Sequence, residues 1–294
     1  MLVYPEDDEF KAKARLHQSR FRVNHLHADF QDKETKLSEL DALAGKNFYL
    51  AWDGLFDEVT KRYSKSGRIK YTPLLYDMLR SEHIPFNFFV PIKHDAELGR
   101  HILNHFLKGE VEEIKDVKIE YAPKPPNLYL NDRTSFDVYI EYQHTDGSAG
   151  FIGVEVKYTE KEYRYTKKEK AEIFNPKSEY NLLTKCANIY KETSIEILKT
   201  IKYKQVWRNQ LLGEKLLRMN PRFKHFTSAI LFPKGNKHFV DVCATYQEFF
   251  KDNSDIKFCG ITFEDFIDVG KSYSTQNKTK LWLEYLRLRY LVLD

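Results

Sequence analysis

The chain has 294 residues, 42% of them hydrophobic and 15% aromatic, enough to build a substantial core and too apolar for a disordered tail. Lys and Arg number 47 against 43 Asp and Glu, a net charge of +4, so a polyanion would have to be met by local patches of charge and not by the chain as a whole. Three widely spaced cysteines, Cys186, Cys243 and Cys259, form no CxxC pair, which argues against a disulfide framework or a cysteine-based structural zinc site and for a reducing compartment.

The N-terminus, MLVYPEDDEF, is acidic where a secretory signal would be basic and then apolar. No run approaches the ~18 to 20 apolar residues that span a bilayer, so the expectation is a cytoplasmic protein without a membrane partner. Residues 1 to about 45 are charged, have helical spacing and hold few large apolar side chains, and are expected to form a helical arm on a larger body. NFYLAWDGLFDEVTKRY (47–63) and TPLLYDML (72–79) repeat aromatic and aliphatic residues every three or four positions, predicting core helices joined by the turn SKSGRIK.

Pro85 and Pro91 interrupt the next stretch, and DAELGRHILNHFL resumes the helical period. The period then changes to two. VKIEYAP, SFDVYIEY and FIGVEVKY, the last two joined by the turn signal HTDGSAG, read as three strands in a meander. Residues 160–217 return to helical spacing; FTSAILFP and KFCGITF are a fourth and a fifth strand, TYQEFFK a helix between them, and KLWLEYLRLRYL a closing helix. The fold class is α/β, a mixed central sheet flanked by helices, with residues 1–80 as an N-terminal helical extension packed on a core of residues 81–294.

Chemistry concentrates in the second and third strands. Asp137, Tyr139 and Glu141 share one face of SFDVYIEY, and Glu155 and Lys157 point together from the next strand, ~7 Å apart along it. If the two strands pair, two carboxylates and one ammonium converge. Carboxylate oxygens suit Mg²⁺, which keeps several waters and needs few protein ligands, so two acids and a backbone carbonyl suffice. A lysine alongside can position or deprotonate a water and offset the charge of an attacked phosphate. The acid-x-lysine spacing recurs elsewhere, but only Glu155 and Lys157 follow an acid on an adjacent alternating strand; the plainer alternative is an exposed hairpin face with ordinary cross-strand charge pairs.

In these residues the chain resembles the PD-(D/E)XK nuclease superfamily, the restriction-endonuclease-like fold, with Asp137, Glu155 and Lys157 at its signature positions and Phe136 where the nominal proline would stand. KYKQVWRNQLLGE resembles the helix that follows the third strand in one branch, where Gln205, Arg208 and Asn209 fall on one face. The likeness centres on residues 110–217 and extends through GKNFYL, SEHIPFNFFVPI and ILFPKGN to uncharacterised bacterial restriction-endonuclease-like proteins. It implies a Mg²⁺-dependent deoxyribonuclease, with Mn²⁺ as a substitute, leaving a 5′-phosphate. Asp137, Glu155 and the carbonyl of Val156 would hold the metal, with an acid from an earlier helix, Glu82 in preference to Glu97. Lys157 would assist the water, and Gln205 and Arg208 would stand beside the scissile phosphate.

From Lys157 to Arg208 there are thirteen Lys or Arg against seven acids, interleaved with Tyr158, Tyr163, Tyr165, Tyr180, Tyr190, Tyr203 and Trp207. Such a mixture neutralises phosphates and stacks on bases, and Lys167, Lys168, Lys170 and Asn209 are the expected nucleic-acid contacts. DNA is the expected partner, with RNA, a homodimer, and roles in restriction, defence or repair left open. Two alternatives stand beside this reading. One is a catalytically silent nucleic-acid-binding module on the same fold; the other is a zinc hydrolase built on His94, Glu97, His101 and His105, which lacks the HExxH pattern. No phosphate-binding glycine loop is present, Cys186 has no histidine nearby, and Cys243 and Cys259 fall in expected core segments.

Overall fold

Five strands, β1 (Val111–Tyr121), β2 (Phe136–His144), β3 (Ala149–Val156), β4 (Phe223–Phe232) and β5 (Lys257–Thr262), lie side by side in chain order in one sheet. The first three pair antiparallel, β2 and β3 through a tight hairpin, while β4 and β5 add in parallel, each after a helical crossover that carries the chain back to the same end. The computed structural model describes residues 4–64, 69–132, 134–252 and 257–292. Before the sheet come α1 (Glu9–Phe21), α2 (Glu39–Leu43), α3 (Leu55–Tyr63), α4 (Pro73–Tyr76), α5 (Ile84–His94) and α6 (Ala96–Phe106). The β3–β4 crossover holds α7 (Lys167–Phe174), α8 (Glu179–Ala187), α9 (Ile195–Leu198) and α10 (Lys204–Met219), and α11 (Lys237–Tyr246) links β4 to β5. Helices α12 (Phe263–Tyr273) and α13 (Asn277–Tyr290) follow β5. Among the described residues no helix is long and apolar enough to cross a membrane.

Strand alternation divides the buried side chains between the two faces of the sheet. Val138, Ile140, Val154 and Val156 join Phe88, Ile102, Phe266 and Trp282 in one cluster. Tyr139, Phe151 and Ile230 join Trp207, Leu211, Leu212 and Tyr246 in the other. Ala14, Phe21, Leu37, Trp52 and Leu75 belong to the first cluster, so the N-terminal eighty residues share buried surface with the sheet.

Several elements depart from the periodicity for local reasons. The helix expected from residue 47 begins only at Leu55, because Gly54 before it is left-handed, φ 78°. Residues 65–68 of the expected turn SKSGRIK lie outside the described residues. Pro91, expected to break the chain, sits inside α5. Its missing N–H leaves the Asn87 carbonyl without its helical donor, and the Trp282 indole N–H supplies one at 2.7 Å. The helix expected at TYQEFFK lies earlier, at α11, started by the Asn236 side chain accepting from the Phe239 amide. Helix α12, capped by Thr262, falls where no helix was expected.

Candidate active site

The β2–β3 register pairs Val138 with Val154, which sets Asp137 across from Glu155 where the two strands begin to part. One oxygen of the Asp137 carboxylate accepts the Val156 amide at 2.7 Å, tying the acid to the neighbouring backbone. Glu155 is gripped at both oxygens. Lys157 Nζ donates to Oε1 at 2.6 Å, and Asn209 Nδ2 donates to Oε2 at 2.7 Å. Lys157 is itself buried, its backbone N–H bonded to the Leu231 carbonyl at 2.9 Å and its ammonium 5.7 Å from the centre of the Tyr163 ring.

Asn209 reaches the site because α10 lies very close to β4. A Cβ at Gly213, one turn after Asn209, would stand 1.9 Å from the Phe226 ring, so only glycine allows this approach. Gln205 is half-buried one turn earlier on the same helix. Arg208 turns toward the loop before β2 and toward α7: it donates to Thr134 at 2.8 Å and pairs with Asp132 at 3.2 Å and Glu169 at 3.3 Å. The structure therefore brings together Asp137, Glu155, Lys157 and Asn209, and ties Arg208 to the elements around them.

A third carboxylate, absent from the sequence reading, joins the pair. Glu120 near the end of β1 has a left-handed backbone, φ 55°, a conformation that costs a non-glycine residue ~1–3 kcal/mol and concentrates at functional sites. The Arg62 guanidinium donates to its carbonyl. Burial, reinforced by the charge of Glu155, pushes the Glu120 carboxyl up to about 7. Burial and Glu155 likewise push Asp137 well above the ordinary carboxylate range, with Lys157 offsetting part of the effect. Burial opposes the charge of Lys157, but Glu155 and Asp137 outweigh it and its proton is held more tightly than in water. The one visible signal for Glu120 was its place on the polar face of VKIEYAP, and it becomes informative only once Ile119 is known to pair with Val138 and Tyr121 with Phe136.

Of the two helix acids, Glu82 lies in the 3-10 turn Ser81–His83, paired with Arg80 at 2.6 Å and close enough to raise the proton affinity of Glu120. Glu97 on α6 points to solvent, 4.0 Å from His101. Lys167, Lys168 and Lys170 open α7 and are exposed, and no ion pair involves them among the described residues. The aromatic interleaving is largely core: Tyr158, Tyr180, Tyr190, Tyr203 and Trp207 are buried, and only Tyr163 and Tyr165 reach solvent. A cleft of about 370 Å³ runs beside Glu120 with Arg62, Lys93, Lys118 and Lys124 on its walls, cations missed by reading charge along residues 157–208, although Lys93 and Lys118 pair with Glu58 and Asp116 of the same lining.

The acid-acid-lysine geometry spans an antiparallel pair continued by two parallel strands, and a profile of the PD-(D/E)XK nuclease superfamily matches residues 5–292. The chain belongs to this superfamily. No curated protein and no solved structure matches it. PD-(D/E)XK nucleases act on nucleic acids and generally use divalent metals, and the donor set here fits such an ion: carboxylate oxygens from three strands, recessed and mutually repelling, with one ammonium among them.

The rival sites of the sequence do not assemble in this PD-(D/E)XK chain. Asp95 caps α6 by accepting from the Leu98 amide, so His94 ends α5 and leaves the helix that carries the other two histidines. His94 Nδ1 instead accepts from the Trp52 indole at 3.0 Å, and His101 stacks on Tyr273. Burial pushes the Cys243 and Cys259 thiols up to about 12, far from a nucleophilic thiolate at neutral pH.

Proposed function

We propose that this protein is a Mg²⁺-dependent deoxyribonuclease, with Mn²⁺ able to substitute, acting in restriction, defence or repair. The observation that carries the reading is the convergence of Asp137, Glu155 and Lys157 at the mouth of the β2–β3 pair, with both Glu155 oxygens oriented. Asp137, Glu155 and the Val156 carbonyl are the proposed metal holders, and Glu120 joins them; Glu82 acts at longer range on the charge of the site. A divalent cation there supplies Lewis-acid polarisation of a phosphoryl oxygen and lowers the pKa of a water.

The protein's own groups do the rest. Lys157, whose proton Glu155 and Asp137 hold more tightly than water does, offers a positive charge to the attacked phosphate and orients a water. Asn209 fixes the rotamer of Glu155. Arg208 serves as a positioning residue that braces α10 against α7 and the loop before β2, while Gln205 faces the phosphate from the same helix. Residues 1–80 act as a buttress, contributing Arg62 to the cleft beside Glu120. Lys167, Lys168 and Lys170 supply backbone contacts, bringing the strand toward Asn209 and Glu155.

The test is cleavage of duplex plasmid DNA by the purified chain, run beside an RNA of equal length. Mg²⁺-dependent DNA cleavage that EDTA stops and that Asp137→Ala abolishes supports the proposal. Equal cleavage in EDTA, or full activity of Asp137→Ala, overturns the mechanism, and cleavage of RNA alone overturns the substrate.

A further inference from the structure

At the opposite end of β2 from Asp137, seven residues or ~23 Å along the strand, a second cluster of metal-ligating side chains assembles from two separate parts of the chain. His144 ends β2, Asp146 lies in the hairpin turn, and His225 comes from β4. Their ligand atoms all lie within 4.8 Å of one another. We propose that His144, Asp146 and His225 form a binding site for a borderline divalent transition-metal ion of the Zn²⁺ class, separate from the nuclease centre, that clips the β2–β3 turn to the start of β4.

The backbone builds this cluster in two steps. A tight turn returns the His144 carbonyl to the Gly147 amide at 2.8 Å, with Gly147 left-handed at φ 85°, which folds Asp146 back over His144. In the β3–β4 pairing Ala149 faces Phe223 but Gly150 faces His225, so Lys224 is an extra residue that bulges out and turns the His225 ring over the hairpin. The two imidazoles then stack with centroids 3.7 Å apart and planes 12° from parallel; because an ion binds in the plane of each ring, the stack opens by side-chain rotation for both nitrogens to reach one ion at ~2.0–2.1 Å.

The carboxylate is held from behind. Asp146 Oδ1 accepts from the Ser148 amide at 2.8 Å and the Ser148 hydroxyl at 2.6 Å, leaving Oδ2 to face His225 Nε2 at 2.9 Å. His144 Nδ1 stands 3.1 Å from Asp146 Oδ1 and takes the Asp146 amide at 3.1 Å; that turn hydrogen bond and the one between His225 Nε2 and Asp146 Oδ2 are both given up when the ion binds. The far nitrogen of His144 faces Glu110 Oε2 at 3.9 Å, and Lys257 anchors that oxygen at 2.6 Å. Glu110 thus lies behind the imidazole at ion-pair distance, beyond a direct hydrogen bond.

Two imidazoles and one carboxylate suit Zn²⁺, Co²⁺ or Ni²⁺ and discriminate against Mg²⁺, which demands oxygen donors. The nuclease centre, with three carboxylates and no imidazole, has the opposite preference. Three protein ligands leave a coordination position for water. Because the ligands come from β2, its turn and β4, the ion crosslinks the hairpin to the strand that follows it 79 residues after Asp146, and its binding stabilises the fold by linkage.

The experiment uses the full chain stripped of metal, titrated with Co²⁺ as a spectroscopic probe and with Zn²⁺ by calorimetry, in the presence of excess Mg²⁺ to occupy the nuclease centre. The expected result is one equivalent of tightly held ion, retained in Asp137→Asn and weakened in His225→Gln by more than the ~10–100-fold that loss of an outer-shell partner costs. Asp146→Asn, which preserves the size of the turn residue, is the second variant and should show the same loss with unchanged circular dichroism. An affinity in His225→Gln and Asp146→Asn equal to that of the parent overturns the site, as does loss of the ion in Asp137→Asn or the absence of any Zn²⁺ binding.

Discussion

Asn209, on a helix 54 residues after Glu155, places its amide nitrogen 2.7 Å from Oε2 of that carboxylate. Since Lys157 holds the other oxygen at 2.6 Å, the plane of the carboxylate is fixed by two donors on separate elements. The orientation depends on how closely α10 can approach β4, and the gap there is filled by Gly213 against Phe226. A helix that packs one Cβ further out would swing Asn209 away from Glu155.

Asn209→Ala should therefore reduce cleavage by ~10–100-fold, the usual cost of losing an outer-shell partner, and raise the metal concentration needed for half-maximal rate. Gly213→Ala should act on the same bond from a distance, losing ~1–3 kcal/mol of stability through overpacking together with part of the activity. Single-turnover cleavage against Mn²⁺ concentration, with urea melts of both variants, checks this. An Asn209→Ala enzyme with parental metal dependence would separate the residue from Glu155.

Lys157 and Asp137 should respond oppositely in stability while both lose activity. Lys157 is a buried ammonium among Glu155, Asp137 and, further off, Glu160. Lys157→Ala leaves that negative charge uncompensated and should destabilise the metal-free protein by ~3–5 kcal/mol, the cost of breaking a buried pair by removing one partner. Asp137→Asn relieves repulsion from Glu155 and Glu120 and should leave the metal-free protein as stable as the parent or more so. Thermal melts in EDTA read both directly, and a Lys157→Ala protein melting with the parent would show that the ammonium does not offset the acids.

How much of this was legible in the sequence follows from the range of each interaction. Alternation in SFDVYIEY and FIGVEVKY is a local property, so Asp137, Glu155 and Lys157 and the antiparallel order around them could be read directly. Glu120 could not, because its role depends on the register of β1 against β2 and on a left-handed backbone that no residue type announces. The helix through Pro91 was equally hidden, since the donor that replaces the missing amide is Trp282, far along the chain. His144 and His225 become neighbours only through parallel pairing of β3 and β4, and their spacing in sequence matches no metal motif.

The titration of Glu120 predicts a pH dependence with a definite sign. Its carboxyl is pushed up to about 7, first by burial and then by Glu155, from an ordinary value of ~4.3 in an unfolded chain. A carboxyl that holds its proton more tightly when folded contributes stability that is fully present below the unfolded value and is lost as pH rises through the folded one. The metal-free protein should therefore lose stability between about pH 4.5 and 7.5, and Glu120→Gln should flatten that part of the profile. Mg²⁺ or Mn²⁺ should raise the melting temperature more at pH 8 than at pH 6, because protons compete for the same oxygens. Melting temperature against pH for both proteins in EDTA is the measurement; a parent profile that rises over this range contradicts the assignment.

The exposed lysines at the start of α7 separate a nucleic-acid substrate from a small phosphate ester. Each phosphate neutralised by Lys or Arg releases condensed counterions, so binding to duplex DNA should weaken with salt by a log-log slope of roughly −0.9 per contact. Lys167, Lys168 and Lys170 are exposed, with no ion pairs among the described residues, and replacing all three by alanine should lower that slope by up to ~3. The helix itself should survive, because Thr166 and Glu169 form a capping box independent of these side chains and alanine favours helix. Glu169 also pairs with Arg208, the neighbour of Asn209, which keeps α7 braced toward the catalytic strands in the triple variant. Metal affinity should consequently stay at the parental value while DNA affinity falls. Fluorescence anisotropy of a labelled duplex in Ca²⁺, over a range of KCl concentrations, reads the slope without cleavage. A triple variant with the parental slope would move the DNA path to the cleft of Arg62, Lys93, Lys118 and Lys124 beside Glu120, and the same titration on alanine variants of Arg62 and Lys124 would then find the missing contacts.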